Sequence, residues 1–259
     1  MNKERTTPAH SHPVEAQHSD AAVSGTVHWR DSLSASHTAA IGPALQDREL
    51  HLAEQIRTSN RYPHKRSYIG LHYFASTGVH VPHESLLEAE TLAWLDMMGG
   101  IVAIAAQPMK ITFADGTVHF PDFFALHSDN RQVLYDVKPE LRISPKYSTQ
   151  FANTRAVCNR IGWGYEVFSE RSPQAKANLA FVSDFRHHRY HPGFEVAESL
   201  RRLLENPLPL DVAASSLPLP LPQARAAIFH LIWAGAISFD LATRISGNTP
   251  IERNSNAHA

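Results

Sequence analysis

Cysteine is nearly missing from this chain of 259 residues: Cys158 stands alone, which excludes an intrachain disulfide and fits the reducing cytoplasm. Long apolar runs are missing too. The longest, about residues 101–106, is far too short to span a bilayer, so no membrane partner is expected. The opening Met-Asn-Lys-Glu-Arg has no apolar stretch behind it, and no secretory signal is expected. Charge of one sign is lacking as well, since the formal net charge is −1 at pH 7. That balance excludes a uniformly basic nucleic-acid binder but not a local basic surface. From Lys138 to Arg202 there are eleven basic residues against six acidic ones, enough to meet phosphates in a chain that is neutral overall. Hydrophobic content of 43% and charged content of 19% describe a soluble globular protein of one large or two modest domains.

What is present is organised around Pro121-Asp122-Phe123-Phe124 and, thirteen residues on, Tyr135-Asp136-Val137-Lys138. The two runs read as the strands of a β-hairpin turning through residues 127–131. An antiparallel hairpin brings its outer ends together, so Asp122 meets Asp136 and Lys138. With side chains alternating at period two, Asp136 and Lys138 share a face and Val137 turns to the core. Two carboxylates beside one ammonium point to a hard divalent cation, and Mg²⁺ suits phosphate chemistry. The pattern PD…DxK is that of a nuclease superfamily with a restriction-endonuclease-like fold.

Residues 1–45 are rich in His, Ser, Thr, Ala and Pro and read as a flexible leader. Between residues 55 and 78, Arg57, Arg61, His64, Lys65 and Arg66 interleave with Tyr62, Tyr68, Tyr73 and Phe74, a mixture able to touch DNA or to pack its rings on a core. A helix follows, with Leu87, Thr91, Trp94, Leu95 and Met98 on its apolar stripe and Gly99-Gly100 ending it. Ser85 with Glu88 forms a capping box, so Glu88 is either a helix cap or a carboxylate reaching for a metal on the neighbouring sheet. Residues 101–113 read as a strand entry and a strand, Asp115-Gly116 as a hairpin turn, and residues 118–126 and 132–138 as two more strands. A helix over residues 148–161, stopped by Gly162, leads to a strand at 165–168, which completes the order α-β-β-β-α-β. Ser172-Pro173 opens a further helix. His187, His188 and His191 lie at its end without a Cys or fourth ligand nearby and read as a solvated basic end.

Pro192-Gly193 marks an expected domain boundary. Beyond it, helices over residues 194–205, 208–213 and 223–233 and a small hairpin suggest a winged-helix module, with only Arg225 and His230 as DNA contacts on its third helix. A role facing a protein partner fits that helix at least as well.

Ser85-Leu86-Leu87-Glu88, Gln107-Pro108, Pro121-Asp122-Phe123 and Asp136-Val137-Lys138, continued by Phe151, Thr154, Cys158, Gly162-Trp163 and Tyr165, resemble the TnsA-like endonuclease subunit of heteromeric (Tn-seven-type) transposases over roughly residues 60–245. The resemblance implies an α/β fold with a nuclease domain over residues 46–191, a winged-helix domain over 192–247 and a tail at 248–259. It implies catalytic Glu88, Asp122 and Lys138, with Asp136 where founding members carry Gln. Glu88, Asp122, Asp136 and the carbonyl of Val137 would hold Mg²⁺, with Mn²⁺ as an alternative, and Lys138 would assist attack of water on the phosphodiester. The implied task is cleavage of the 5′ ends of a mobile element in double-stranded DNA. The implied partners are a DDE-type transposase subunit and an AAA+ ATPase regulator. A stand-alone defence nuclease and a non-catalytic DNA- or partner-binding scaffold remain as alternatives.

Overall fold

The computed structural model describes residues 23–56 and 68–254. The basic residues expected near DNA at Arg57, Arg61, His64, Lys65 and Arg66 lie outside them, as do residues 1–22 of the expected leader. The second half of that leader differs from expectation. Strands β1 (Gly25–Arg30) and β2 (Ser36–Ala40) pair antiparallel around a turn in which Asp31 accepts the backbone N–H groups of Leu33 and Ala35. Only Val27 and Trp29 of β1 are apolar and buried, too short an alternation to read as a strand alone. Strand β1 exists because it lies along a strand more than eighty residues downstream, with Val27 opposite Ile111.

Strands β3 (Gly70–Phe74) and β4 (Val79–His83) form a hairpin of their own. Helix α1 (Leu86–Met98) begins at the expected capping box: Ser85 Oγ accepts the Glu88 N–H at 3.1 Å, and the Glu88 carboxylate accepts the Glu84 N–H at 2.7 Å. Its inward face is rotated from the expected stripe. Thr91, Leu92, Leu95, Asp96 and Met97 are buried, whereas Met98 is exposed. Asp96 accounts for the rotation, because its carboxylate reaches back to the β3–β4 turn and accepts the N–H groups of Ala75 and Ser76 at 2.7 and 3.1 Å.

The expected three-strand meander is a longer, bent arrangement of β5 (Ile101–Ala106), β6 (Met109–Phe113), β7 (Val118–His119), β8 (Phe123–His127) and β9 (Gln132–Val137). Both arms of the first hairpin break at prolines, Pro108 and Pro121, which cannot donate to a ladder. There the chain passes from one sheet to another: β5 and β8 pair in one sheet, β6 and β7 in the other. A hydrogen bond of 2.8 Å from Gln107 N–H to the Asp122 carbonyl carries the pairing round the corner.

Helix α2 (Pro145–Ile161) ends where Gly162 takes the left-handed conformation (φ 101°) that side chains disfavour, its N–H returning to the Cys158 carbonyl. Strand β10 (Gly164–Phe168) then lies parallel to β9, giving a sheet in the order β10-β9-β8-β5 beside a second in the order β2-β1-β6-β7. Alternation on β8 and β9 divides their side chains between two cores. Phe124 and Leu134 meet Val157, Cys158 and Trp163 on one face, and Phe123, Ala125, Val133 and Tyr135 meet Leu92 and Leu95 of α1 on the other.

Helix α3 (Pro173–Ser183) opens as expected, with Ser172 Oγ accepting the Ala175 N–H. Beyond it come α4 (Phe194–Leu203), β11 (Leu208–Pro209), α5 (Leu210–Ser215), α6 (Leu221–Trp233), β12 (Ile237–Ser238) and β13 (Pro250–Arg253). The helix expected over 208–213 starts later, because Leu208 pairs with Ile251. The expected tail beyond residue 247 supplies β13, the central strand of the order β11-β13-β12. Pro192 and Gly193 do not divide two cores: Leu200, Ile228 and Trp233 pack in one cluster with Leu179 and Val182 of α3 and Met97 of α1.

Replacing Asp96 with Ala strands two backbone N–H groups at the β3–β4 turn and is expected to cost about 3 kcal/mol. Urea unfolding of Asp96→Ala, with an unchanged slope and a lower midpoint, checks this.

Candidate active site

Asp122 precedes β8 and Asp136 lies near the end of β9. The ladder ends at the Phe123–Tyr135 pair, so Asp122 and Asp136 are the next residues of the two strands, at the same end of the hairpin. The ladder itself holds them: Asp122 N–H donates to the Tyr135 carbonyl at 3.1 Å, and Val137 N–H donates to Asp122 Oδ2 at 2.6 Å. Lys138 follows at the strand end, tied to β10 by its N–H to the Phe168 carbonyl at 2.8 Å and by Ser169 Oγ on its own carbonyl. Asp122 thus lies at the end of the hairpin that carries Asp136 and Lys138, near enough for both charges to act on it.

The charges interact. Asp122 has its carboxyl held well above the usual carboxylate range, first by burial, then by the charge of Asp136, then by that of Glu88. The Val137 N–H and Lys138 oppose the shift. Glu88, from the first turn of α1, is therefore an electrostatic neighbour of Asp122 while also serving as the helix cap, with Ser85 Oγ donating to it at 2.8 Å. The expected cap is thus present, and the same carboxylate acts on Asp122 through its charge. Lys138 Nζ sits 3.4 Å from the centre of the Tyr147 ring at the start of α2 and holds the Tyr147 phenol below its usual range, chiefly through a hydrogen bond.

Asp136 is buried beside His119, which the sequence did not single out, and Tyr165, which it gave no role at the site. His119 Nε2 lies 2.9 Å and Tyr165 OH 2.5 Å from its Oδ2. Burial first and Asp136 second push the Tyr165 phenol up, and the neighbouring Cys158 thiol is pushed up in the same way. Among the described residues, Asp136 Oδ1 is buried without a hydrogen-bond partner. Tyr165 comes from β10, placed by its parallel pairing with β9, and His119 from β7, the short arm of the β6–β7 hairpin. The one local signal was His119 at three residues before Asp122.

Among the described residues no three His, Cys, Asp or Glu side chains are already gathered as a ligand set. Two observations nonetheless fit a hard cation: the buried, unpartnered Oδ1 of Asp136, and a carboxyl at Asp122 whose ionisation is opposed by two neighbouring carboxylates. A cation would relieve both. Elsewhere, the two residues expected to touch DNA from α6 are turned to internal use. Arg225 makes a two-point ion pair with Asp211 at 2.8 and 2.7 Å, and buried His230 hydrogen-bonds the Phe185 carbonyl through Nδ1. The exposed His187, His188 and His191 join no metal-ligating group among the described residues.

The raised Asp122 carboxyl sets the sign of a pH effect. Folding binds its proton more tightly, so no stability is lost below the unfolded value near 3.8. As pH rises from there through the folded value, ionisation increasingly favours the unfolded chain. Asp122→Asn cannot ionise and still accepts the Val137 N–H. Without added metal it is expected to melt above the unsubstituted protein at pH 8, the gap closing toward pH 4 in a series of thermal melts.

Compared with models of protein families and with curated proteins, the sequence matches none.

Proposed function

We propose that this chain is a Mg²⁺-dependent DNA endonuclease with a restriction-endonuclease-like core, Mn²⁺ serving in place of Mg²⁺. Its proposed place is as the subunit of a heteromeric transposase that cuts the 5′ ends of a mobile element in double-stranded DNA. The observation that carries the reading is the buried Asp122 carboxyl at the open end of the β8–β9 hairpin, acted on by the charges of Asp136, Glu88 and Lys138 together. Further support comes from the order of elements, in which α1, an antiparallel set, α2 and the parallel strand β10 follow one another as the resemblance implies.

In this reading Asp122, Asp136, Glu88 and the Val137 carbonyl hold the cation, which when bound supplies Lewis-acid stabilisation of charge developing on the phosphodiester. Asp122 and Asp136 contribute fixed negative charge at a place set by backbone hydrogen bonds, so little reorganisation accompanies the reaction. Lys138 swings its ammonium from the Tyr147 ring to the phosphate oxygen that gains charge. The C-terminal order of helix, strand, two helices and two strands supports a winged-helix module. With Arg225 and His230 engaged internally, that module faces a protein, for which a DDE-type transposase subunit or an AAA+ ATPase regulator is the proposed partner. Among the described residues no helix is long and apolar enough to cross a membrane.

A non-catalytic scaffold is the second reading, favoured by the complete capping box at Glu88. Plasmid nicking with Mg²⁺, with the chain alone and with its partner transposase, separates the cases. Asp122→Ala is expected to abolish cleavage, and unchanged transposition by that variant removes the nuclease reading. Lys138→Ala is expected to keep Mn²⁺ binding in calorimetry while cleavage falls by about 10²–10³-fold. Nicking by the unaided chain favours a stand-alone nuclease.

A further inference from the structure

The geometry points to His119, backed by Gln150 and assisted by Tyr165, as a positioning residue that orients Asp136 for cation binding; this rests on the proposed nuclease reading. Gln150 Nε2 lies 2.6 Å from His119 Nδ1. An amide nitrogen can only donate, so Nδ1 accepts, and the ring's proton sits on Nε2. That Nε2–H then donates to Asp136 Oδ2 at 2.9 Å. Tyr165 OH donates to the same oxygen at 2.5 Å. Two donors on Oδ2 and none among the described residues on Oδ1 fix the carboxylate's rotation and leave one buried oxygen uncommitted.

A neutral polar oxygen buried without a partner is already unfavourable, and a carboxylate oxygen more so. The arrangement is intelligible if Oδ1 is reserved for a positive ligand. Imidazole and phenol donors behind a ligating carboxylate also raise specificity for one geometry over another, because they prevent the carboxylate from turning. His119 is buried on β7 and Tyr165 sits on β10, so two separately placed strands converge on one oxygen, while Gln150 of α2 backs the imidazole. No apolar packing requirement calls for a His–Gln pair at this place.

The experiment measures Mn²⁺ affinity of the full chain by calorimetry and the His119 tautomer by ¹⁵N NMR. The unsubstituted protein is expected to bind Mn²⁺ and to show the Nε2–H tautomer. His119→Ala and Tyr165→Phe are each expected to weaken Mn²⁺ about 10–100-fold. His119→Gln, whose amide reaches the place of Nε2, is expected to restore most of the loss, and His119→Asn, whose amide falls short, is not. A role confined to structure would not separate Gln from Asn in metal affinity. If His119→Ala fails to fold, Gln150→Met tests the same chain of donors: it removes the donor that holds the ring at Nδ1 and is expected to weaken Mn²⁺. Unchanged affinity in the folded variants, or an Nδ1–H tautomer in the unsubstituted protein, overturns the inference while metal-dependent nicking keeps the nuclease reading. A protein that binds no Mn²⁺ and nicks no DNA with or without its partner overturns both.

Discussion

The hydrogen-bonded corner between Gln107 and Asp122 is the constraint from which the rest of the arrangement follows. One long hairpin runs through two sheets, and prolines 108 and 121 mark where each arm leaves the first ladder for the second. Gln107 N–H on the Asp122 carbonyl keeps the arms in register while they bend. Because Gln107 takes a positive φ of 44°, unusual for a residue with a side chain, the bend has a conformational cost that the neighbouring ladders must offset. Asp122 is therefore held in a place where backbone is already unusual and where its carboxylate can turn to the Val137 N–H. Everything argued about charge at this site begins from that position.

Helix α1 ties this corner to the remainder of the protein. Its first turn carries Glu88 toward Asp122, its middle packs Leu92 and Leu95 on the sheet, and its end gives Met97 to the C-terminal core. Asp96 adds a polar link to the β3–β4 turn. One helix thus couples the carboxylate neighbourhood, the central sheet and the last three helices. A shift of α1 along its axis would be felt in all three, since packed interiors transmit displacement rather than absorb it.

The parts legible in the sequence were those governed by neighbours in the chain. Ser85 and Glu88 announced the start of α1, Gly162 the end of α2, and Ser172-Pro173 the start of α3, because caps and stops act within one turn. The hairpin that brings Asp122 to the end of the strand carrying Asp136 was legible for the same reason. What the sequence concealed was set by distant partners. Val27 lies opposite Ile111 in β6, more than eighty residues on, and Leu208 opposite Ile251. Prolines 108 and 121 were visible, but not that both sit at one corner. His119 and Tyr165 reach Asp136 from other strands, and no spacing along the chain connects them. The stripe on α1 was misjudged because a buried aspartate, bonded to a turn about twenty residues away, outweighed the pattern of apolar side chains.

The single thiol has a consequence of its own. Cys158 lies fully buried on the face of α2 that packs beneath the sheet, and its ionisation is opposed by burial and by the negative charge of Asp136. Only the thiolate reacts readily with oxidants and disulfides, so the native protein presents no thiol for peroxide or glutathione to modify. Whatever governs this protein in the cell, the oxidation state of its surroundings does not reach it through cysteine.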